Sequence, residues 1–284
     1  MDEGITIITG ADSGMGREIT LAVAKSGSPI LMACRTAERA NSVAEEIREL
    51  SHNSHIEVRP INLASLASVD AFTKQLLSEK RPIRRIVNNA GVLTSPIRTT
   101  EDGLETLVSV NYVAPYFLTR RLLPLMTVGS RIVNTVSCTY AIGKLDDAFF
   151  EKGQRGSFRR IPVYSNTKLA LLLFTLDLAE QLKPSGITVN ASDPGIVSTD
   201  MIRMNEWFDS LTDIFYRPFI RTAAQGASTA IYLALSPDVA EATGGCYANR
   251  RRRSLSNRIQ NHPMRHILFS DTAELLHKKH FEIE

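Results

Sequence analysis

A tyrosine and a lysine four residues apart, Tyr164 and Lys168, are the side chains whose types and spacing best suit proton chemistry. Residues four apart on a helix share a face, and the sequence continues almost wholly apolar from Leu169 to Phe174, so the pair would lie at the edge of a core. An ammonium near a phenol lowers a phenol pKa that is about 10 in water. The pair predicts a tyrosine that exchanges a proton near neutral pH; a half-buried tyrosine beside a solvated lysine is the alternative.

A glycine-rich loop near the amino terminus fits the binding of a dinucleotide. Gly10, Gly14 and Gly16 fall where the first predicted strand turns into the first predicted helix. Glycine lets the backbone turn tightly and approach a pyrophosphate closely, while the helix amino terminus supplies N–H groups and a partial positive charge. A plain strand-to-helix turn needs only one glycine, so three of them favour a cofactor loop.

Apolar runs of strand length alternate with helix-length patterns, which predicts an α/β fold: a Rossmann-like, doubly wound parallel sheet of about seven strands with helices on both faces. One domain over residues 1–249 accounts for this pattern, and a basic C-terminal extension follows over residues 250–284. The predicted strands are Ile5–Thr9, Ile30–Cys34, Ile56–Pro60, Arg85–Asn88, Arg131–Val136, Ile187–Ala191 and Gly245–Ala248. The predicted helices are Gly16–Ser26, Ala37–Ser51, Leu66–Glu79, Leu104–Met126, Val163–Lys183 and Ala223–Leu235, with a weaker one near Asp271–His280.

Six segments stand in the order found in the short-chain dehydrogenase/reductase family, which the chain resembles over about residues 4–249. A lone glycine-rich loop would be a weak signal, but six ordered matches are a strong one. The segments are Thr9-Gly10-Ala11-Asp12-Ser13-Gly14-Met15-Gly16, Asn88-Asn89-Ala90-Gly91, Asn111, Ser137, Tyr164 with Lys168, and Pro194-Gly195.

The resemblance implies four catalytic residues and a hydride-transferring nicotinamide cofactor. Tyr164 would be the general acid in reduction and the general base in oxidation, and Lys168 would lower its pKa and hold the nicotinamide ribose. Ser137 would polarise the substrate carbonyl. Asn111 would mark a helix irregularity whose backbone carbonyl holds a water and organises a proton relay from Lys168.

The resemblance also implies a set of cofactor-binding positions. They are Gly10, Asp12, Ser13, Gly14, Met15 and Gly16 in the first loop, Arg35 after the second strand, Asn62 and Leu63 near the adenine, Asn89, Ala90 and Gly91 beside the ribose, Tyr164 and Lys168, and Pro194, Gly195, Ile196 and Thr199 near the nicotinamide.

The end of the second strand favours NADP (NADPH), with NAD less expected. Cys34 stands where members that bind NAD usually have a carboxylate for the ribose 2′-hydroxyl. Arg35 follows, and a guanidinium suits a 2′-phosphate through bidentate, charge-assisted hydrogen bonds. An arginine after a strand is also often only solvated, which is the alternative.

The serine position has two registers, because Val136-Ser137-Cys138 also matches the common Val-Ser-Ser of the family with Cys138 in the catalytic place. Chemistry favours Ser137, since a hydroxyl is a better donor to a carbonyl oxygen than a thiol. Family members often have His before Pro194-Gly195; this chain has Asp193, whose effect the sequence does not define.

Tyr164 follows Ser137 by 27 positions, a longer gap than the compact members of the family have. The resemblance is nearest to the retinol-dehydrogenase-like branch, which has a comparable insertion and an Ala-Cys-Arg after its second strand. We expect residues of about 140–162 and 200–220 to form substrate lids. The expected enzyme interconverts an alcohol and a carbonyl on an apolar small molecule, such as a steroid or retinoid; the alternative is a non-catalytic NAD(P)-binding sensor.

Composition and charge give little support for nucleic-acid binding, lipid binding, a metal site or a membrane anchor. A net charge of +3 gives no general case for nucleic acid, and Arg250–Arg253 lacks interleaved aromatics, so we expect a solvated run or an intersubunit contact rather than a nucleic-acid or lipid site. Three cysteines without metal spacing predict neither disulfides nor a metal site. No stretch reaches about 18 uninterrupted apolar residues, so we expect no membrane anchor and a cytoplasmic protein.

Two predicted helices, Leu104–Met126 and Val163–Lys183, are apolar on more than one face. A helix that is apolar all round must be covered on every side, and a sheet covers only one. In the resembling family these helices form a two-fold dimer contact. We therefore expect a homodimer, with a tetramer also possible.

Overall fold

A computed structural model describes residues 4–93, 98–151, 160–197 and 221–283. Its strands are β1 (Ile5–Thr9), β2 (Ile30–Cys34), β3 (Ile56–Pro60), β4 (Ile83–Asn88), β5 (Met126–Thr135), β6 (Thr188–Asp193), β7 (Gly245–Ala248) and β8 (Arg251–Arg252). Its helices are α1 (Gly14–Lys25), α2 (Ala37–Ser51), α3 (Leu66–Glu79), α4 (Thr106–Val108), α5 (Ala114–Leu122), α6 (Arg160–Gln181), α7 (Ala223–Leu235), α8 (Asn257–Gln260) and α9 (Met264–Lys278). None of the helices in these ranges is long and apolar enough to cross a membrane.

The strands form one sheet in the order β3-β2-β1-β4-β5-β6-β7-β8, parallel from β3 to β7. The strand order reverses at β1, which pairs with both β2 and β4. Ligands of open α/β sheets bind outside the carboxyl ends of the strands at such a switch point. The predicted doubly wound fold is confirmed.

Apolar clusters fill the space on both sides of the sheet. One joins α3, α5, α6 and α9 to one face, and the other joins α1, α2 and α7 to the opposite face. The central strands β1 and β2 are buried along their whole length. This double burial explains why they read in the sequence as continuous apolar runs.

The sheet has one strand more than the seven expected, because the arginine run folds back on β7. Asn249 and Arg250 form a two-residue hairpin turn with φ of 54° and 60°, and β8 pairs antiparallel with β7. Left-handed backbone at both turn positions matches the right-handed twist of a two-residue hairpin. Arg251 and Arg252 therefore lie on an edge strand, where charged side chains discourage pairing with another chain.

The predicted long helix over residues 104–126 is interrupted. A π-helical turn, Ser109–Val113, separates α4 from α5, and Met126 already belongs to β5. The helix irregularity expected at Asn111 is thus confirmed. Such π-turns occur often at functional sites, since the extra residue turns one side chain out of its helical register.

Helix α9 covers the face that was expected to need a partner subunit. The Tyr112 hydroxyl forms a hydrogen bond with Thr272 Oγ1 of α9 at 2.7 Å. The Tyr116 hydroxyl donates to the Phe269 carbonyl oxygen of the same helix at 3.0 Å. Leu268 of α9 is buried in the same core cluster as α5 and α6. The reasoning toward a dimer was wrong on this point, because the C-terminal segment belongs to the core. The homodimer itself stays a prediction for light scattering to test.

Leu268→Ala should lower the free energy of unfolding by about 2–5 kcal/mol, because it removes buried atoms and leaves a cavity under α9. Ile267 is the matched control on the same helix: its side chain is 46% exposed, and Ile267→Ala should change the free energy by only about 0.5 kcal/mol. Urea denaturation measures both. Equal, small effects would mean that α9 is not part of the cooperative core.

Candidate active site

The four predicted catalytic residues come from three elements that converge at the carboxyl end of the sheet. Tyr164 and Lys168 lie on α6, Ser137 follows β5, and Asn111 lies in the π-turn. Ser137 lies close enough to Tyr164 to act on the pKa of its phenol. Lys168, only 3% exposed, donates from Nζ to the Thr135 carbonyl oxygen at 2.9 Å, and Nζ lies 5.6 Å from the centre of the Tyr164 ring.

The electrostatics of this pair differ from the expectation. Burial raises the pKa of Tyr164 to about 12, although the nearby Ser137 hydroxyl acts in the other direction. Burial also lowers the pKa of Lys168 to about 8. With a pKa of about 8 the Lys168 ammonium still holds its proton at neutral pH, but burial dominates the pKa of Tyr164. Tyr164 therefore stays protonated at neutral pH in this structure.

Ser137 and Cys138 both lie near the tyrosine: Ser137 acts to lower the pKa of Tyr164, and Cys138 acts to raise it. Ser137 begins a 3-10 helix, Cys138–Ile142, and its Oγ accepts from the Thr139 N–H at 3.4 Å. Ser137 is buried, whereas Cys138 is exposed. The choice of Ser137 over Cys138 continues to rest on the better donor chemistry of the hydroxyl.

Asn111 fixes the loop after β4 with both ends of its amide. Oδ1 accepts from the Val92 N–H at 2.8 Å, and Nδ2 donates to the Val92 carbonyl oxygen at 2.9 Å. A Cβ on Gly91 would lie 3.3 Å from Asn111 Oδ1 and 3.4 Å from Lys168 Nζ. Gly91 thus fits between the two side chains, which places the Asn89-Ala90-Gly91 loop directly against the lysine.

The glycine loop has the shape that a bound pyrophosphate requires. Gly10 and Gly14 have φ of 62° and 47°, and a Cβ on Gly16 would lie 1.9 Å from the Gly10 carbonyl oxygen. Ser13 is the N-cap of α1 and makes no side-chain cap hydrogen bond; Asp12 and Met15 flank it, partly buried. The α1 amino terminus thus faces the switch point with glycine backbone around it, which suits a dinucleotide phosphate.

Asn89 gives a second observation that fits a dinucleotide cofactor. Its Nδ2 donates to the carbonyl oxygen of Thr9 at 3.1 Å, but its Oδ1 is buried and accepts no hydrogen bond within the described residues. Buried polar atoms are almost always bonded to protein, water or a ligand. An acceptor left over beside the glycine loop fits a cofactor that carries hydroxyl groups.

Two arginines, not one, lie exposed after β2. Arg35 was expected; Arg39, four residues later in the first turn of α2, was missed. Arg39 Nε pairs with Asp12 Oδ2 at 3.0 Å. Cys34 is buried beneath them, and burial raises the pKa of its thiol to about 12, so it remains a neutral packing group.

Asn62 and Leu63, the residues expected near the adenine, both form hydrogen bonds within the chain. Asn62 Oδ1 accepts from the Ala64 N–H at 3.1 Å in a local turn, and its side chain is exposed. Leu63 is buried, and its carbonyl oxygen accepts from Ser109 Oγ at 3.1 Å. Of the two residues, Asn62 alone therefore offers a side chain to a ligand.

On the nicotinamide side, the turn after β6 stands at the expected place. Gly195 has φ of 74°, Pro194 accepts from Arg221 through its carbonyl oxygen at 3.3 Å, and Ile196 is 44% exposed. Thr199, the predicted lid over 200–220 and residues 152–159 of the other predicted lid lie outside the described residues.

Comparison with known proteins agrees with this architecture. Residues 4–207 match the family model for short chain dehydrogenases. The chain is 33% identical over 274 residues to human retinol dehydrogenase 12, a match that covers 96% of this chain and 86% of that protein. It is 35% identical over 264 residues to mouse retinol dehydrogenase 14, covering 88% of this chain and 78% of that protein.

Two solved structures are similar over most of their length. One is an uncharacterized protein from Mycobacterium paratuberculosis, with a TM-score of 0.78 and 24% identity over 99% of this chain and 95% of that one. The other is a blue fluorescent protein from a metagenomic library in complex with NADPH, with a TM-score of 0.68 and 25% identity over 87% and 96% of the two chains. The chain belongs to the short-chain dehydrogenase/reductase family, in its retinol-dehydrogenase-like branch, and is an alcohol/carbonyl oxidoreductase.

Proposed function

We propose that this chain is an NADP(H)-dependent oxidoreductase that interconverts an alcohol and a carbonyl on an apolar small molecule, with Tyr164 as general acid and base. The observation that carries the proposal is the convergence of Ser137 and Tyr164 beside a buried Lys168, whose Nζ lies 5.6 Å from the centre of the Tyr164 ring. Two hydroxyls that meet at the carboxyl end of a doubly wound sheet suit a substrate oxygen that gains or loses a proton.

The residues divide the work by their chemistry. A bound nicotinamide supplies or accepts the hydride. Ser137 Oγ donates to the carbonyl oxygen and stabilises the negative charge that develops there, while Tyr164 delivers its proton to the same oxygen in reduction. Lys168, with a pKa of about 8, can return a proton toward Tyr164 near neutral pH. Asn111 holds the loop after β4 in place beside Lys168.

The preference for NADP rests on charge at the end of β2. Arg35 and Arg39 are both exposed there, and guanidinium groups bind phosphate through charge-assisted hydrogen bonds. Asp12, however, pairs with Arg39, and a carboxylate in this region could accept from a ribose 2′-hydroxyl instead. Glu38 in the first turn of α2 adds a second carboxylate, so the support for the phosphate comes from Arg35, which forms no ion pair among the described residues.

An apolar substrate is supported by what surrounds the site. Large hydrophobic side chains that are exposed in the described ranges include Ile142, Ile161 and Ile196, at 65%, 46% and 44%. They come from the loop after β5, the start of α6 and the turn after β6, which are the segments that carry Ser137, Tyr164 and Gly195. Apolar side chains with a few polar groups among them are typical of small-molecule sites. The similar retinol dehydrogenases point the same way.

The cytoplasmic location also stays part of the proposal. Cys34, Cys138 and Cys246 are unpaired thiols, which suits a reducing compartment.

Tyr164→Phe should reduce turnover by about 10²–10⁴-fold, because it removes the transferable proton and little else. Affinity for NADPH should stay near that of the wild type. The measurement is NADPH absorbance with a panel of steroids, retinoids, quinones and short ketones. Tyr140→Phe is the matched control, since Tyr140 lies in the same region but contacts Cys246. Near wild-type activity of Tyr164→Phe on a verified substrate would refute the proposal.

Lys168→Ala gives a contrasting result, because the ammonium serves both the proton path and the cofactor. We expect both the rate and the NADPH affinity to fall. An unchanged dinucleotide affinity would remove the proposed contact of Lys168 with the ribose.

Arg35→Ala and Arg39→Ala should each lower the NADP/NAD ratio of kcat/KM by about tenfold or more, the effect of one lost hydrogen bond to a charged group. Arg48→Ala is the matched control, because Arg48 lies at the far end of α2 and pairs with Glu45. Steady-state kinetics with both cofactors measure the ratio. If neither arginine changes it, the 2′-phosphate is held elsewhere or is not the preferred ligand.

A further inference from the structure

Arg258, an exposed arginine in α8 of the C-terminal segment, has no part in the mechanism proposed above. Its guanidinium donates from Nη1 to the Gly143 carbonyl oxygen at 3.0 Å and from Nη2 to the Ala141 carbonyl oxygen at 2.6 Å. The next residue, Ile259, is 3% exposed and belongs to the core cluster that contains α5 and α6. A guanidinium presents its donors in a rigid plane, so one side chain anchored on α8 holds two carbonyl oxygens of the loop after β5.

Backbone hydrogen bonds continue from this contact to Ser137. The Gly143 N–H donates to the Tyr140 carbonyl oxygen at 3.2 Å, and the Tyr140 N–H donates to the Ser137 carbonyl oxygen at 2.9 Å. These bonds belong to the 3-10 helix Cys138–Ile142, and 3-10 helices have poorer hydrogen-bond geometry than α-helices. A contact that holds the carboxyl end of this short helix therefore also restrains Ser137 at its start.

The same end of the 3-10 helix packs against the helix that carries Tyr164. A Cβ on Gly143 would lie 2.6 Å from the Ser165 carbonyl oxygen, so a residue with a side chain does not fit there without a shift. The Lys144 N–H donates to Asn166 Oδ1 at 2.7 Å. Because Ser165 and Asn166 directly follow Tyr164, the loop after β5 is held against α6 on one side and by α8 on the other.

We propose that Arg258 is a positioning residue that holds the loop after β5 against α6 and so fixes Ser137 relative to Tyr164. This inference rests on the role proposed above for Ser137. Alignment matters because both hydroxyls act on the same substrate oxygen, and a displacement of about 1 Å in a reacting group can cost about 10²-fold in rate. The C-terminal segment then contributes to the active site without touching the substrate.

Three substitutions separate this contact from a general effect of charge. Arg258→Met keeps an unbranched side chain but donates no hydrogen bond. Arg258→Lys keeps the charge, but an ammonium lacks the planar fork that reaches two carbonyl oxygens. Arg251→Met is the matched control, because Arg251 is an exposed arginine of the same segment, in β8, and its loss changes the net charge equally.

The first experiment needs no substrate and follows hydrogen–deuterium exchange in peptides that cover residues 138–144. The amides of Tyr140 and Gly143 are bonded inside the 3-10 helix, so loss of the contact in Arg258→Met should make their exchange severalfold faster. Arg251→Met should exchange as the wild type does, and Arg258→Lys should lie between. Unchanged exchange in Arg258→Met would overturn the inference, because the loop would then be held without the guanidinium.

The second experiment measures carbonyl reduction with NADPH on a substrate that the wild type reduces. Arg258→Met should lower kcat by roughly tenfold to a hundredfold and leave NADPH affinity unchanged, because only the alignment of the hydroxyls is disturbed. A double-mutant cycle with Ser137→Ala tests the path of this effect. Once the hydroxyl is absent, Arg258→Met should cost less than about threefold more, whereas losses that multiply would mean that Arg258 acts independently of Ser137 and would overturn the inference.

These readouts separate this inference from the proposed function. Faster exchange, a lower kcat at unchanged NADPH affinity and a non-additive cycle are together the result that supports it. A large loss in Ser137→Ala beside a fully active Arg258→Met overturns the inference alone, even where exchange is faster. A parallel fall in NADPH affinity, which a general loosening of the fold produces, overturns it as well. A fully active Ser137→Ala would instead overturn the proposed role of Ser137, and this inference with it.

Discussion

The burial of the Lys168 ammonium is the constraint on which the rest of the site depends. An isolated charge away from water is costly, so it must be neutralised or hydrogen-bonded. The Thr135 carbonyl oxygen at the end of β5 meets that need. Because Nζ also lies against Gly91, the lysine sets the distances between α6, β5 and the loop after β4. A Cβ at position 91 would make tight contacts with Asn111 Oδ1 at 3.3 Å and Lys168 Nζ at 3.4 Å, so even an alanine there would press on both side chains.

The π-turn is the backbone irregularity that places Asn111 beside the same loop. In a regular helix the residues around Asn111 would keep one register, and helix propensity gives no reason for an asparagine there. The extra residue of the turn lets the amide reach Val92 on one side and Thr167 Oγ1, at 3.3 Å, on the other. The irregular turn, the buried lysine and the glycine between them are parts of one arrangement.

Sequence patterns defined the parts of the fold that are buried on both faces. The bounds of β1, β2 and β7 agree with the expectation, because strands covered on both sides read as apolar runs. The arginine-rich β8 has no such signal, and the buried residues of α9 make only a narrow stripe, Met264, Leu268, Thr272 and Leu276, four residues apart. Resemblance could name the site residues. It could not give the raised pKa of Tyr164 or the hydrogen bond of Lys168 with the Thr135 carbonyl oxygen, because both depend on three-dimensional distances between segments remote in sequence.

The C-terminal segment links the stability of the fold to the geometry of the site. Helix α9 buries the outer side of α5 and α6, and just before it Arg258 donates to the carbonyl oxygens of Gly143 and Ala141 at 3.0 Å and 2.6 Å. These carbonyls close the 3-10 helix that begins after Ser137. Since α6 carries Tyr164 and this 3-10 helix follows Ser137, the same segment braces both hydroxyls of the site. A change that loosens α9 should therefore disturb the alignment of Ser137 with Tyr164 before it unfolds the sheet, because the sheet keeps its own core on the opposite face.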